Sequence, residues 1–180
     1  MIEVFAPAKL NLCLHVTGLR KDGYHYLDTL VLHTDVGDRL TVSNSPVFKL
    51  KVSGPFGHLI PSNENNLVYS IVRCFGLGRG VEIFLEKNLP PSSGIGGGSS
   101  DAAAVLRALR VLWDIKIPDN RSLSKLGADI PVCMSSQLTQ VNGIGEKIKL
   151  MGQPPLLDLV LVNPRVELST PKVFANEVSN

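Results

Sequence analysis

Ten residues, Ser92-Ser93-Gly94-Ile95-Gly96-Gly97-Gly98-Ser99-Ser100-Asp101, constrain this chain more than any other stretch. Four glycines in five positions let the backbone approach a ligand without Cβ clashes, and successive N–H groups can form a concave nest for anionic oxygens. Ala102-Ala103-Ala104 follow at once, with Val105, Leu106, Leu109 and Leu112 at helical spacing, so a closely packed helix is expected over Asp101–Trp113. Its unpaired N-terminal N–H groups and the positive end of its dipole would add to the nest. Ser99 and Ser100 serve either as N-caps or as hydroxyl donors to a phosphate or a metal ion. The loop lacks the Gly-Lys-Ser/Thr ending of a Walker A motif, and Ser99 stands where the dinucleotide fingerprint needs Gly or Ala. Anion binding therefore outweighs the alternative of a flexible linker.

The elements around the loop place it in an α+β domain. Leu10, Leu12, Leu14 and Val16 alternate with polar or small residues, as in a half-buried strand. Lys21-Asp22-Gly23 reads as a turn, and Leu27–Thr34 and Arg39–Ser43 read as two strands joined by a turn at Gly37-Asp38. Phe48–Ser53 and Val81–Glu86 are further strands. A helix capped by Ser62 or Asn63 is expected through Leu67, Val68, Ile71, Val72 and Phe75. Leu157–Val162 reads as a strand and Pro171–Val178 as a helix start. Strands precede helices rather than alternating with them, which favours α+β. Residues 1–153 would form one domain and 154–180 the start of a second.

Of 180 residues, 44% are hydrophobic, enough to bury a real core, and the net charge is only +2. Lys and Arg are scattered, so no basic face is available for nucleic acid. No apolar stretch reaches the roughly 18 residues of a membrane span. Cys13, Cys74 and Cys133 are far apart and odd in number, which points to reduced interior cysteines. The opening Met1-Ile2-Glu3-Val4-Phe5-Ala6-Pro7 has neither a signal-peptide nor a transit-peptide pattern, and a cytoplasmic location is expected. His15, His33 and His58 have no partner at metal spacing, and Trp113 and Met134 read as core.

The loop from Pro90 to Ala103 resembles the phosphate-binding signature of the GHMP kinase superfamily, and Ala6-Pro7-Ala8-Lys9-Leu10-Asn11-Leu12 is similar to that superfamily's first motif. Arg20-Lys21-Asp22-Gly23-Tyr24-His25 with Asp38-Arg39-Leu40 resembles one branch, the kinases that phosphorylate a cytidine diphosphate-linked methylerythritol on the non-mevalonate route to isoprenoids. Glu64-Asn65-Asn66-Leu67-Val68, Leu126-Gly127-Ala128-Asp129-Ile130-Pro131 and Gly143-Ile144-Gly145-Glu146 match that branch in the same order. The resemblance covers nearly the whole chain. Against the family pattern, Phe75–Gly80 and Asp119–Leu126 are short, and a third glycine-rich motif and most of the C-terminal domain do not appear.

The resemblance implies the superfamily's N-terminal domain, a fold shared with a ribosomal-protein domain, and ATP-dependent phosphorylation of the C2 hydroxyl with Mg²⁺. It makes Asp129 the carboxylate beside that hydroxyl and Lys9 the ammonium beside Asp129. ATP would be held by Asn65 and Leu67, by Pro90, Pro91, Ser92 and Ser93, and by Gly94, Ile95, Gly96, Gly97, Gly98, Ser99 and Ser100. Tyr24 and His25 would take the cytidine, Asn11 the polyol or diphosphate, and Phe174 a second aromatic wall. No acidic pair singles out a metal site; Ser100 and Asp101 are the candidates. The alternatives are a homoserine- or mevalonate-type kinase of the same superfamily, or a non-catalytic ligand- or RNA-binding relative.

Overall fold

The computed structural model describes residues 1–76 and 78–164. Two long strands dominate it, β1 (Ile2–Leu19) and β2 (His25–Asn44), paired antiparallel through a hairpin closed at Arg20–Tyr24. Gly23 has φ +88° in that turn, where a side chain would be disfavoured. The C-terminal part of β2 pairs antiparallel with β4 (Val81–Glu86), which pairs in parallel with β3 (Lys49–Ser53). The N-terminal part of β2 pairs with β5 (Thr139–Gly143), and β5 with β6 (Lys147–Leu150), giving the order β3-β4-β2-β5-β6 with β1 on β2.

Helix α1 (Leu67–Phe75) packs on α2 (Gly97–Trp113), and α2 packs on β1 and β2. Short helices α3 (Asn120–Ser124) and α4 (Ile130–Cys133) follow, with α4 against α2. The core lies between sheet and helices: Val42, Ile83 and Leu85 meet Ile71, Val105, Leu106 and Leu109, all 2% exposed or less. Ala102, Ala103 and Ala104 are fully buried, so their small side chains let α2 lie close to its neighbours.

Several expectations change. No turn occurs at Gly37-Asp38; β2 runs through it. Gly37 sits opposite Pro7, where a Cβ would lie 2.4 Å from the Ala6 carbonyl oxygen, and Asp38 turns its side chain into the interior. Helix α1 is capped by Asn66, which accepts from Val68 N–H at 2.9 Å, because Asn63 is already used by Asn65 N–H. Helix α2 starts at Gly97, four residues early, so half of the glycine-rich stretch is helical. Cys13 and Cys74 are exposed; Cys133 alone is interior. Residues Leu157–Val162 form no strand and stand in solvent, lacking a partner strand to cover their apolar side chains. Helices α3 and α4 and strands β5 and β6 had no strong periodic signal. Pro171–Val178 and Phe174 lie outside the described residues.

A buried ionic cluster ties the sheet to α2. Lys87 Nζ lies 2.5 Å from Asp38 Oδ2 and 2.7 Å from Asp101 Oδ2, with all three side chains less than 5% exposed. Asp38 Oδ1 also accepts from Leu89 N–H at 2.8 Å and from Asn88 N–H. Burial and the Asp38 charge push the Asp101 carboxyl upward, opposed by Lys87. The two carboxylates outweigh the burial of Lys87 and hold its ammonium charged. Removing the cation leaves two buried carboxylates facing each other, so Lys87→Met should destabilise the fold by about 3–5 kcal/mol. Urea unfolding of the two proteins would measure it.

Candidate active site

The glycine-rich loop is held against β1 by main chain. Lys9 N–H donates to the Ile95 carbonyl at 2.8 Å. Gly96 then turns back with φ +67°, and a Cβ there would stand 3.2 Å from Lys9 Cβ and 3.3 Å from Lys9 Cε. Only a residue without a side chain fits this crossing comfortably. Gly96 is also the N-cap of α2 and offers no side-chain acceptor, so the N–H groups of Gly97, Gly98 and Ser99 lack the capping partner a Ser or Asp would supply. Ser99 and Ser100 lie inside the helix and are not N-caps. Ser100 Oγ is buried without a hydrogen-bond partner, as is Asp101 Oδ1. Lys87 Nζ lies under this turn, 3.1 Å from where a Cβ on Gly97 would stand, with its charge balanced by Asp38 and Asp101.

A cleft of about 190 Å³ opens beside the loop, lined by Ile60, Pro61, Asn65, Leu67, Pro91 and Ser92, with Lys87 and Asp101 also at its wall. It is smaller than the roughly 300–1,000 Å³ of sites that enclose a drug-sized ligand, so it suits a flat ring with the rest of the ligand outside. Ser92 adopts φ +52° at its rim, and Ser93 Oγ donates to the Pro90 carbonyl at 2.7 Å, which closes the turn entering the loop. Gly94, with φ +75°, has open space around it.

Lys9 and Asp129, 120 residues apart in sequence, meet. Lys9 Nζ is 3.3 Å from Asp129 Oδ2 and donates to Asn11 Oδ1 at 3.1 Å. The Lys9 side chain is 9% exposed and that of Asp129 45%, so the ammonium is enclosed and the carboxylate is open to a partner. Asp129 stands at the N-cap position of α4 without using its side chain as a cap. Arg107 fixes α4: its guanidinium donates to the Cys133 carbonyl at 2.7 Å and the Phe5 carbonyl at 2.9 Å, joining α2, α4 and β1. Burial pushes the Cys133 thiol up to about 12, which leaves it unreactive.

His33 faces Lys9 across the β1–β2 ladder. Burial, with the charges of Arg107 and Lys9, lowers its pKa to about 4, and neither ring nitrogen has a hydrogen-bond partner. A neutral imidazole therefore leaves Lys9 and Arg107 as the positive groups there.

Tyr24 and His25 lie at the far end of the hairpin, and Tyr24 is 62% exposed. Along β2 His25 is separated from His33 by a contour of up to about 26 Å at ~3.3 Å per residue, and Tyr24 lies one residue further. Register shifts at Pro7/Lys9, Asn11/Cys13 and Val16/Gly18 bend this stretch. The structure thus unites Lys9, Asn11, Asp129 and the loop in one place, gathers Asn65, Leu67, Pro91 and Ser92 at the cleft, and leaves Tyr24 and His25 at the hairpin end. Sequence reasoning missed Lys87, Arg107 and Asp38. An Asp within β2 and a Lys directly after the apolar β4 were the available signal.

The family model described as GHMP kinases N terminal domain matches residues 66–139, which carry α1, the loop, α2 and Asp129. That stretch of the chain is thus a GHMP kinase N-terminal domain. Within that class the chain is similar to 4-diphosphocytidyl-2-C-methyl-D-erythritol kinase of Ruegeria pomeroyi, 49% identical over 173 residues covering 96% of this chain and 62% of that protein. The enzyme of the same name from Cereibacter sphaeroides is 48% identical over 97% of this chain and 63% of that protein. A crystal structure of 4-(cytidine 5'-diphospho)-2C-methyl-D-erythritol kinase superposes with a TM-score of 0.76 at 36% identity, over 97% of this chain and 63% of the other. The chain thus spans about three-fifths of the length of these relatives. No helix among the described residues is long and apolar enough to cross a membrane.

The His33 shift has a consequence for stability. Below pH 6.5 the unfolded chain takes up a proton at His33 and the folded chain does not until about pH 4. Stability from this group is complete above pH 6.5 and falls with pH across that window, by at most about 1.4 kcal/mol per unit and less as solvent screens the partly exposed ring. The stability difference between the native protein and His33→Phe, measured by urea unfolding at pH 6.5 and 4.5, should shift against the native protein at the lower pH.

Proposed function

We propose that this chain supplies the nucleotide-binding and catalytic residues of an ATP-dependent kinase that phosphorylates the C2 hydroxyl of 4-diphosphocytidyl-2-C-methyl-D-erythritol. The observation that carries this reading is the Lys9–Asp129 pair seated under a glycine-capped helix start. Phosphoryl transfer needs held phosphates, charge compensation and a hydroxyl whose proton has somewhere to go. The N–H groups of Gly97, Gly98 and Ser99, with the α2 dipole, suit the phosphates. The adjoining cleft between Asn65, Leu67, Pro91 and Ser92 suits the adenine. Asp129, half open, is the group that accepts the hydroxyl proton, and Lys9 offsets the negative charge developing on that oxygen. ATP supplies the transferred phosphoryl group.

Mg²⁺ fits this donor set in a limited way. Among the described residues no three His, Cys, Asp or Glu side chains gather as a metal cage. Magnesium needs none when phosphates provide most of its ligands, and the unpartnered Ser100 hydroxyl is a suitable protein donor. Asp101 suits it less, because its carboxylate already balances the Lys87 ammonium, which would repel a second cation at the unpartnered Oδ1.

For the acceptor, the exposed Tyr24 ring can stack on a pyrimidine and His25 can reach its polar edge, while Asn11, beside Lys9, addresses the polyol end. An extended diphosphate-linked substrate would bridge the two regions. The scattered basic residues favour this small-molecule role over nucleic-acid binding, and we assign the enzyme to the cytoplasm. A homoserine- or mevalonate-type kinase is the second reading; testing each alcohol with ATP separates them.

Asp129→Asn should lower kcat by about 10²–10⁴-fold while calorimetric affinity for a non-hydrolysable ATP analogue is kept. Near-native turnover would remove Asp129 from the mechanism. Tyr24→Ala should weaken binding of the cytidyl substrate by about threefold to tenfold, the worth of one aromatic stack, with ATP affinity unchanged.

A further inference from the structure

Thr29 is 4% exposed in the N-terminal part of β2, opposite Leu14 of β1 and Val141 of β5. Its hydroxyl lies 2.6 Å from the Cys13 carbonyl oxygen and 2.7 Å from Asn11 Nδ2. The ladder shifts register between Asn11 and Cys13, so the hydroxyl serves a carbonyl at an irregular point of the strand pair. Proton counting then fixes the network. A carbonyl has no proton, so the single Thr29 O–H must donate to Cys13. With that proton committed, Thr29 Oγ1 can only accept, and the group facing it must be the Asn11 NH₂. The other end of the amide, Oδ1, consequently faces Lys9 Nζ at 3.1 Å. A flipped amide would set NH₂ against an ammonium and carbonyl oxygen against a hydroxyl with no proton left to give.

We propose that Thr29 is a positioning residue: through Asn11 it orients the Lys9 ammonium beside Asp129. The role rests on the phosphoryl-transfer reading of the site. Thr29 acts on neither the nucleotide nor the acceptor directly. Its loss should show in the chemical step, since small misplacements of a charged group reduce rate more than binding. Valine keeps the branched shape and removes the hydroxyl; serine keeps the hydroxyl and removes the methyl.

Two readouts test it. In steady-state kinetics with ATP and the cytidyl substrate, Thr29→Val should lower kcat about tenfold to a hundredfold with KM for ATP little changed, and Thr29→Ser should restore most of the rate. Equal kcat in all three proteins overturns the proposal, as does serine behaving like valine. The second readout is NMR exchange of the Asn11 side-chain amide protons, which needs no activity. Slow exchange in the native protein and Thr29→Ser, with fast exchange in Thr29→Val, supports the relay. Fast exchange in the native protein overturns it, including when the valine variant does not fold. If the native protein phosphorylates none of the alcohols, the kinase reading fails, and the NMR result still decides whether Thr29 fixes Asn11.

Discussion

The structure turns on how Lys9 is enclosed. Its N–H is bonded to Ile95, its methylenes lie under Gly96, and its ammonium is shared by Asn11 and Asp129. One residue of β1 therefore sets the height of the loop, the start of α2 and the position of a carboxylate brought in by α4. A buried ammonium is costly unless paired and hydrogen-bonded, and here both conditions are met. The open side of the pair is Asp129, the side from which the proposed acceptor hydroxyl would approach.

A second buried cation supports the first. Lys87 joins the end of β4 to Asp38 of β2 and Asp101 of α2. It anchors the first turn of α2 to the sheet, beside the crossing of Gly96 on Lys9. The ammonium is balanced within the cluster by the two carboxyl groups, so the positive end presented above it is that of the α2 N–H groups and dipole. Arg107 does the corresponding work for α4, by satisfying two carbonyls that belong to different elements.

Much of this was legible in the sequence. The loop and α2 were plain because glycine density and helical periodicity are local properties, and β4 alternates clearly; β1 is a strand, but Leu12 and Leu14, expected on its core face, are 41% and 43% exposed. The four-residue error at the start of α2 came from treating Gly97 and Gly98 as loop; packing of α2 on the sheet overrides their low helix propensity. The turn expected at Gly37-Asp38 failed for the opposite reason: the pair looks like a turn locally, while Asp38 is committed to Lys87 some fifty residues away. Such long-range ionic contacts leave no periodic trace. The Lys9–Asp129 pairing likewise followed from resemblance and not from spacing. Cys13 and Cys74 show that residue type alone is a weak guide to burial.

The central claim, that Lys9 and Asp129 act as one unit in phosphoryl transfer, is tested most directly by a double-mutant cycle on kcat/KM. Lys9→Met, Asp129→Asn and the double variant would be compared with the native protein. If the two groups act together, the double variant loses little more than the worse single variant, because either change already disables the pair. Losses that simply multiply would show two independent residues and contradict the account.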